Sequence, residues 1–294
     1  MKKKKLVVYV PIILFACIAV VVYWGMAGQS STSTKGTIKS AILNETRGFS
    51  VYLPPGYHAF ANRKRVYPIL YLFHGFSDSH IGWVRHGNLR KIADEMIENG
   101  RAVPMIIVVP HTLGGFYTNR VDGSYSYENF FFKEFVPFIE KKYRVHQSKE
   151  SRAIAGVSMG GNGALLYAMK YPEMVVSCCT LGAAVNFNES PDTESTNELV
   201  STNENDIDAL LRKTADNLRN ADPDVLKRIT VQFHIDCGKE DGLCATNEKL
   251  DAKMTANNIP HTFKTRSGRH DWDCWRAALP DSLEFSSKAF RHSK

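Results

Sequence analysis

The feature that most constrains this chain is six residues long: Gly156-Val157-Ser158-Met159-Gly160-Gly161. It follows an apolar run of strand length, Ala153–Ala155, and opens a helical pattern over Gly163–Met169. A serine set between a strand and a helix, with glycines two residues before and two after, marks a backbone that folds back tightly on itself. Its hydroxyl then stands above the sheet edge, close to a helix N-terminus whose positive end favours negative charge. Such a hydroxyl becomes a nucleophile once a base can take its proton.

The rest of the chain supplies the sheet that this turn needs. Thr37–Leu43 and Phe49–Leu53 read as two strands of an antiparallel start, broken at Pro54-Pro55-Gly56. Apolar runs of strand length then recur at Ile69–Phe73, Met105–Val109, Arg152–Ala155, Val175–Thr180, Thr230–Ile235 and His261–Thr265. Helical patterns fall between or after them, over Arg90–Ile97, Glu128–Tyr143, Gly163–Met169, Asn247–Ala256 and Trp272–Ala289. Strands alternating with helices predict a mostly parallel central sheet with helices on both faces. The near-continuous apolar character of the strands fits burial on both sides. With the glycine-flanked serine, this pattern predicts the α/β-hydrolase fold. The segment Val185–Asp224 breaks the rhythm with its Asn, Glu, Thr and Ser and only short helical hints around Ile207–Leu218. It is expected to be a cap-like insertion, either a lid over the site, the favoured reading, or plain surface decoration.

In this fold the serine is followed along the chain by an acid and then by a histidine. Three histidines come late enough. His261 lies within a predicted strand, His292 lies beyond the last helix, and His270 occupies the loop Ser267–Trp272 directly after the final strand. His270 is the expected base. The acid belongs in the loop after the preceding strand, where Asp236, Glu240 and Asp241 compete. Asp236 is too close to the strand's end, and spacing favours Asp241, followed by Gly242, over Glu240. Ester hydrolysis also needs N–H donors for a tetrahedral oxyanion. Met159 N–H, directly after the serine, is one; Phe76 N–H, in the loop Phe73-His74-Gly75-Phe76, is the other. His74 comes too early for the base and is expected to hold that loop in shape.

Leu70-Tyr71-Leu72-Phe73-His74-Gly75, the serine turn, Cys237-Gly238 with Asp241, and Gly268-Arg269-His270-Asp271-Trp272 with Trp275 together resemble an esterase family of the α/β hydrolases. That family takes in esterase D (S-formylglutathione hydrolase), tributyrin esterases, and feruloyl and acetylxylan esterases. The resemblance runs from about Ile38 to Ala289. It implies Ser158, Asp241 and His270 as a catalytic triad, Phe76 and Met159 as oxyanion donors, and no cofactor or metal. The His-Asp-Trp segment looks closer to the tributyrin and feruloyl esterases than to S-formylglutathione hydrolase. The implied substrates are small esters with short-chain or aromatic acyl groups, or acylated carbohydrates such as polysaccharides. An acyltransferase using the same three residues, or a non-catalytic surface-binding protein on the same fold, are the alternatives.

The formal net charge of +7 suggests nucleic acid until it is located. Lys2, Lys3, Lys4 and Lys5 carry four of those charges, leaving 7 − 4 = +3 for the remainder, which has no basic, aromatic-interleaved stripe. No nucleic-acid partner is expected. The lysines precede a continuous apolar stretch, Leu6 to Ala27, and then a polar Ser/Thr tract. Lysines stay on the cytoplasmic side, so the chain beyond the apolar stretch should be exported. Either the stretch anchors the chain in the membrane, or a signal peptidase cuts near Ala27. Residues 1–36 are thus read as anchor or signal plus linker, and 37–294 as the catalytic domain. Among the cysteines, Cys178 and Cys179 should point to opposite faces of a buried strand. Cys244 and Cys274 are a candidate disulfide between the acid and histidine loops, since export permits one.

Overall fold

The computed structural model describes residues 30–112, 116–120, 122–185 and 205–292. Residues 1–29, with the expected anchor and the cleavage point near Ala27, lie outside them, as do 186–204 of the expected lid. Among the described residues, no helix is long and apolar enough to cross a membrane.

Successive strand residues face opposite sides of a sheet, and the strand Ile69–Phe73 obeys this alternation closely. Ile69, Tyr71 and Phe73 enter one core, while Leu70 and Leu72 enter another. All five are almost completely buried, so the sheet must be covered on both faces. The strands are β1 (Thr32–Ser40), β2 (Glu45–Leu53), β3 (Ile69–Phe73), β4 (Ile106–Pro110), β5 (Arg152–Val157), β6 (Ser177–Leu181), β7 (Gln232–Gly238) and β8 (His261–Arg266). They form one eight-stranded sheet in the order β1-β2-β4-β3-β5-β6-β7-β8. The β1–β2 and β2–β4 pairs are antiparallel and all others parallel. This is the expected α/β-hydrolase architecture.

The helices are α1 (Gly82–Arg85), α2 (Leu89–Glu98), α3 (Tyr127–Phe130), α4 (Val136–Lys142), α5 (Met159–Lys170), α6 (Ile207–Asn220), α7 (Pro223–Ile229), α8 (Cys244–Ala256) and α9 (Trp272–His292). A π-helical turn, Phe131–Phe135, joins α3 to α4. One face of the sheet takes Ile139 of α4, Leu165 of α5, Leu211 of α6 and Leu250 of α8; the other takes Met96 of α2 and Leu279 and Leu283 of α9. Each such side chain, fully buried, contributes about 1.5–3 kcal/mol. Cys178 and Cys179 fall in the two opposite cores, as the strand period requires.

The structure corrects three boundaries. The strand expected at Thr37–Leu43 starts instead at Thr32, inside the tract read as linker, and ends at Ser40. It is an edge strand with mostly outward side chains, so its polar sequence concealed it. The helix expected from Gly163 begins directly after the serine, at Met159; its glycines have poor helix propensity but are needed sterically. Within the expected lid, residues 207–220 form a full helix that buries Ile207, Leu210, Leu211 and Ala215 against the core. Asp206 caps it, accepting from the N–H groups of Asp208 and Ala209.

Candidate active site

Ser158 follows β5 with φ 56° and ψ −121°, a conformation rarely held by a non-glycine residue. The neighbouring glycines explain how the backbone reaches it. A methyl group on Gly156 would lie 2.1 Å from the Gly160 carbonyl oxygen, and one on Gly160 would lie 2.5 Å from the His74 carbonyl oxygen. Neither site tolerates a side chain. Ser158 N–H donates to Leu181 O at 3.0 Å, which ties the turn to β6.

Three residues read from distant parts of the sequence meet here. Ser158 Oγ lies 2.9 Å from His270 Nε2, and His270 Nδ1 lies 2.7 Å from Asp241 Oδ2. The histidine side chain is 32% exposed while that of Asp241 is 1% exposed, so a solvent-reachable imidazole is backed by a dry carboxylate. Asp241 Oδ1 also accepts from Leu243 N–H at 2.8 Å. Gly182, with φ 53°, leaves room for this carboxylate, since a methyl there would stand 2.7 Å from Asp241 Oδ2. The indole of Trp275 lies edge-on to the His270 ring at 5.1 Å.

The three carboxylates that compete for the acid position have different partners. Asp236 is held within β7 by Arg266, whose Nε donates to it at 2.7 Å. Glu240 Oε2 accepts from Gly268 N–H at 2.6 Å and so braces the histidine loop. Only Asp241 faces the imidazole. Of the other late histidines, His261 bonds Asp251 and the Ile259 carbonyl, and the side chain of His292 lies outside the described residues.

The expected oxyanion loop passes close to the serine: a methyl on Gly75 would lie 3.5 Å from Ser158 Cβ. His74 is buried beneath it, with Nδ1–H donating to Gly75 O at 2.8 Å and Nε2 accepting from Thr112 N–H at 3.3 Å. Asp78 N–H also donates to Gly75 O, at 3.3 Å. Because the peptide is planar and trans, fixing the Gly75 carbonyl also fixes the Phe76 N–H on the opposite side. Tyr117 clamps the same loop, its hydroxyl accepting from His74 N–H at 2.9 Å and donating to His74 O at 3.1 Å. Its ring stacks on Phe73 at 4.1 Å. Sequence reading missed Tyr117, because nothing in its own neighbourhood distinguishes it.

Burial lowers the His74 imidazole from 6.5 to about 4. Between those values the unfolded chain holds the extra proton, so stability present at pH 7 is lost as pH falls from about 6.5 toward 4. A gap of that size corresponds to about 3 kcal/mol. The urea midpoint is expected to drop across this window, and to drop less steeply in His74→Asn, whose amide retains a donor and an acceptor. Equal slopes in the two proteins would contradict the assignment.

The expected Cys244–Cys274 bridge is not present. Cys178, Cys179, Cys237, Cys244 and Cys274 are all free thiols, and Cys244 Sγ–H donates to Glu248 Oε1 at 3.8 Å. Burial pushes the Cys274 thiol up to about 11, and burial followed by the nearby Asp241 charge pushes Cys237 higher still. Protonated thiols are poor nucleophiles and poor ligands. Among the described residues, no group of three or more His, Cys, Asp or Glu side chains is arranged to hold a metal.

Comparison with known proteins decides the family. The family described as Putative esterase matches residues 40–285, most of the chain. The chain belongs to this esterase family. It is a carboxylic ester hydrolase of the α/β-hydrolase fold. A solved ferulic acid esterase is 32% identical to this esterase with a TM-score of 0.76, over 89% of this chain and 99% of that one. An acetyl esterase of Caldicellulosiruptor saccharolyticus is 24% identical over 74% of this esterase and 83% of its own length. An endo-1,4-beta-xylanase/feruloyl esterase of Xylanibacter ruminicola is 34% identical over 129 residues, 42% of this esterase. The chain spans only 18% of that larger protein.

Proposed function

We propose that the esterase works by nucleophilic catalysis on Ser158. The observation that carries this is the continuous line from Asp241 Oδ2 through His270 to Ser158 Oγ, at 2.7 and 2.9 Å. His270 Nε2 takes the Ser158 proton as Oγ attacks the ester carbonyl. Asp241 accepts from Nδ1–H and stabilises the imidazolium that results. The oxyanion receives the N–H groups of Phe76 and of Met159, the latter at the first turn of α5. His270 then hands its proton to the leaving alcohol. Water, deprotonated by the same imidazole, attacks the acyl-serine and releases the acid and free Ser158.

His270 must protonate the departing oxygen, so the alcohol leaves on its side and the acyl group extends toward the oxyanion loop. Phe76 is 62% exposed there, and the Phe116 ring lies 6.4 Å from its ring, tilted by 30°. This ring pair supports an aromatic acyl group as the preferred substrate, consistent with the names of the ferulic acid and feruloyl esterase relatives. A panel of acetyl, butyryl and feruloyl esters tests it. Feruloyl esters should give the highest kcat/KM, and Phe116→Ala should cut the feruloyl-to-acetyl ratio about tenfold, the value of one lost ring contact. A preference for acetyl esters unaffected by Phe116→Ala would overturn the aromatic reading.

We place this activity outside the cytoplasm because of Lys2–Lys5 and the apolar run Leu6–Ala27. The domain is then either anchored or released after cleavage near Ala27. Resistance of the catalytic domain to protease added to cells with an opened outer surface would sink this placement.

A further inference from the structure

Asn247 lies in the first turn of α8, directly behind the acid loop, and is completely buried. A buried amide that left its donors and acceptor unpaired would be costly, and this one is well used. Asn247 Nδ2 donates to Leu243 O at 2.8 Å and to Ala183 O at 3.0 Å, while Oδ1 accepts from Ala183 N–H at 3.2 Å. Each partner leads into the site. Leu243 N–H donates to Asp241 Oδ1 at 2.8 Å. On the other side, Ala184 N–H donates to Ser158 O at 3.0 Å. With Asp241–His270–Ser158 in front, these bonds close a ring that runs from the serine turn through residues 183–184, Asn247 and Leu243 back to the acid.

We infer that Asn247 is a positioning residue that sets the distance between the Asp241 carboxylate and the Ser158 turn from behind. The need for it comes from topology. Asp241 sits in the loop between β7 and α8, and Ser158 sits after β5, so β6 separates their strands. Loops are softer than the elements they join, and a misplacement of about 1 Å at a catalytic group can cost about a hundredfold. Asn247 stands on a helix and grips the segment after β6 and the acid loop at once. A side chain that merely filled the core would need neither contact.

The inference rests on Asp241 as the acid, and a double-mutant cycle in the full chain keeps the two claims apart. Asn247→Ala should lower kcat for p-nitrophenyl acetate about 30-fold with KM changed less than about threefold. In the Asp241→Asn background the same change should cost less than about threefold more, because it acts through a carboxylate already disabled. Asn247→Ser, whose hydroxyl can still reach the carbonyl four residues back, should show the same coupling with a smaller loss. It serves if the alanine variant does not fold. Losses that multiply across the cycle, or an unchanged kcat in a folded Asn247 variant, would overturn the role of Asn247. A normal rate in Asp241→Asn alone would remove the acid assignment, and this inference with it.

Discussion

Asp241→Asn is expected to lower kcat for p-nitrophenyl acetate about 10⁴-fold, while Glu240→Gln costs no more than about tenfold. The first figure is the size of effect seen when the acid of a serine triad becomes an amide and the histidine is held in the wrong tautomer. Asp241 Oδ2 accepts from His270 Nδ1–H at 2.7 Å, and its carboxylate is dry, so no water can substitute for it. Among the described residues, the Glu240 side chain hydrogen-bonds only the Gly268 N–H. Glutamine can still accept that bond, so the loop keeps its shape. Initial rates of the two variants at saturating substrate check this, and equal losses would mean that the two carboxylates share the role.

Ser158→Ala should cost more, about 10⁶-fold in kcat, leaving only the acceleration that the oxyanion donors and substrate binding provide. The fold should survive the change. Ser158 is only partly buried, and its side chain bonds nothing but His270 among the described residues. What sustains its unusual backbone is glycine: Gly156 and Gly160, where added methyl groups would meet backbone at 2.1 and 2.5 Å. Rates with p-nitrophenyl acetate, alongside an unchanged circular dichroism spectrum, check both halves of the expectation.

The parts legible in the sequence were those whose physics is local. A serine between glycines, set between a strand and a helix, is a short-range pattern, and Ser158 does sit on the sharp turn that the pattern predicts. Chain order then selected His270, and the structure sets it 2.9 Å from Ser158. Which of Asp236, Glu240 and Asp241 faces His270 was only half legible, because spacing is a weak guide and the contacts with Arg266 and Gly268 that turn the first two elsewhere come from residues about 30 positions away. Asn247 and Tyr117 were invisible, since each acts on backbone far away in sequence. The helix over 207–220 was obscured by its Asn- and Glu-rich setting, although Ile207, Leu210, Leu211 and Ala215 carry the helical spacing. The edge strand β1 was hidden in the same way, by polar side chains that face outward.

The central claim is that Ser158 is made nucleophilic by His270. Mass mapping of the esterase after reaction with a fluorophosphonate tests it most directly. The expected result is a single phosphonyl adduct on the peptide carrying Ser158, formed in minutes and lost in His270→Ala. An adduct on another residue, or none on a folded and active enzyme, would contradict it.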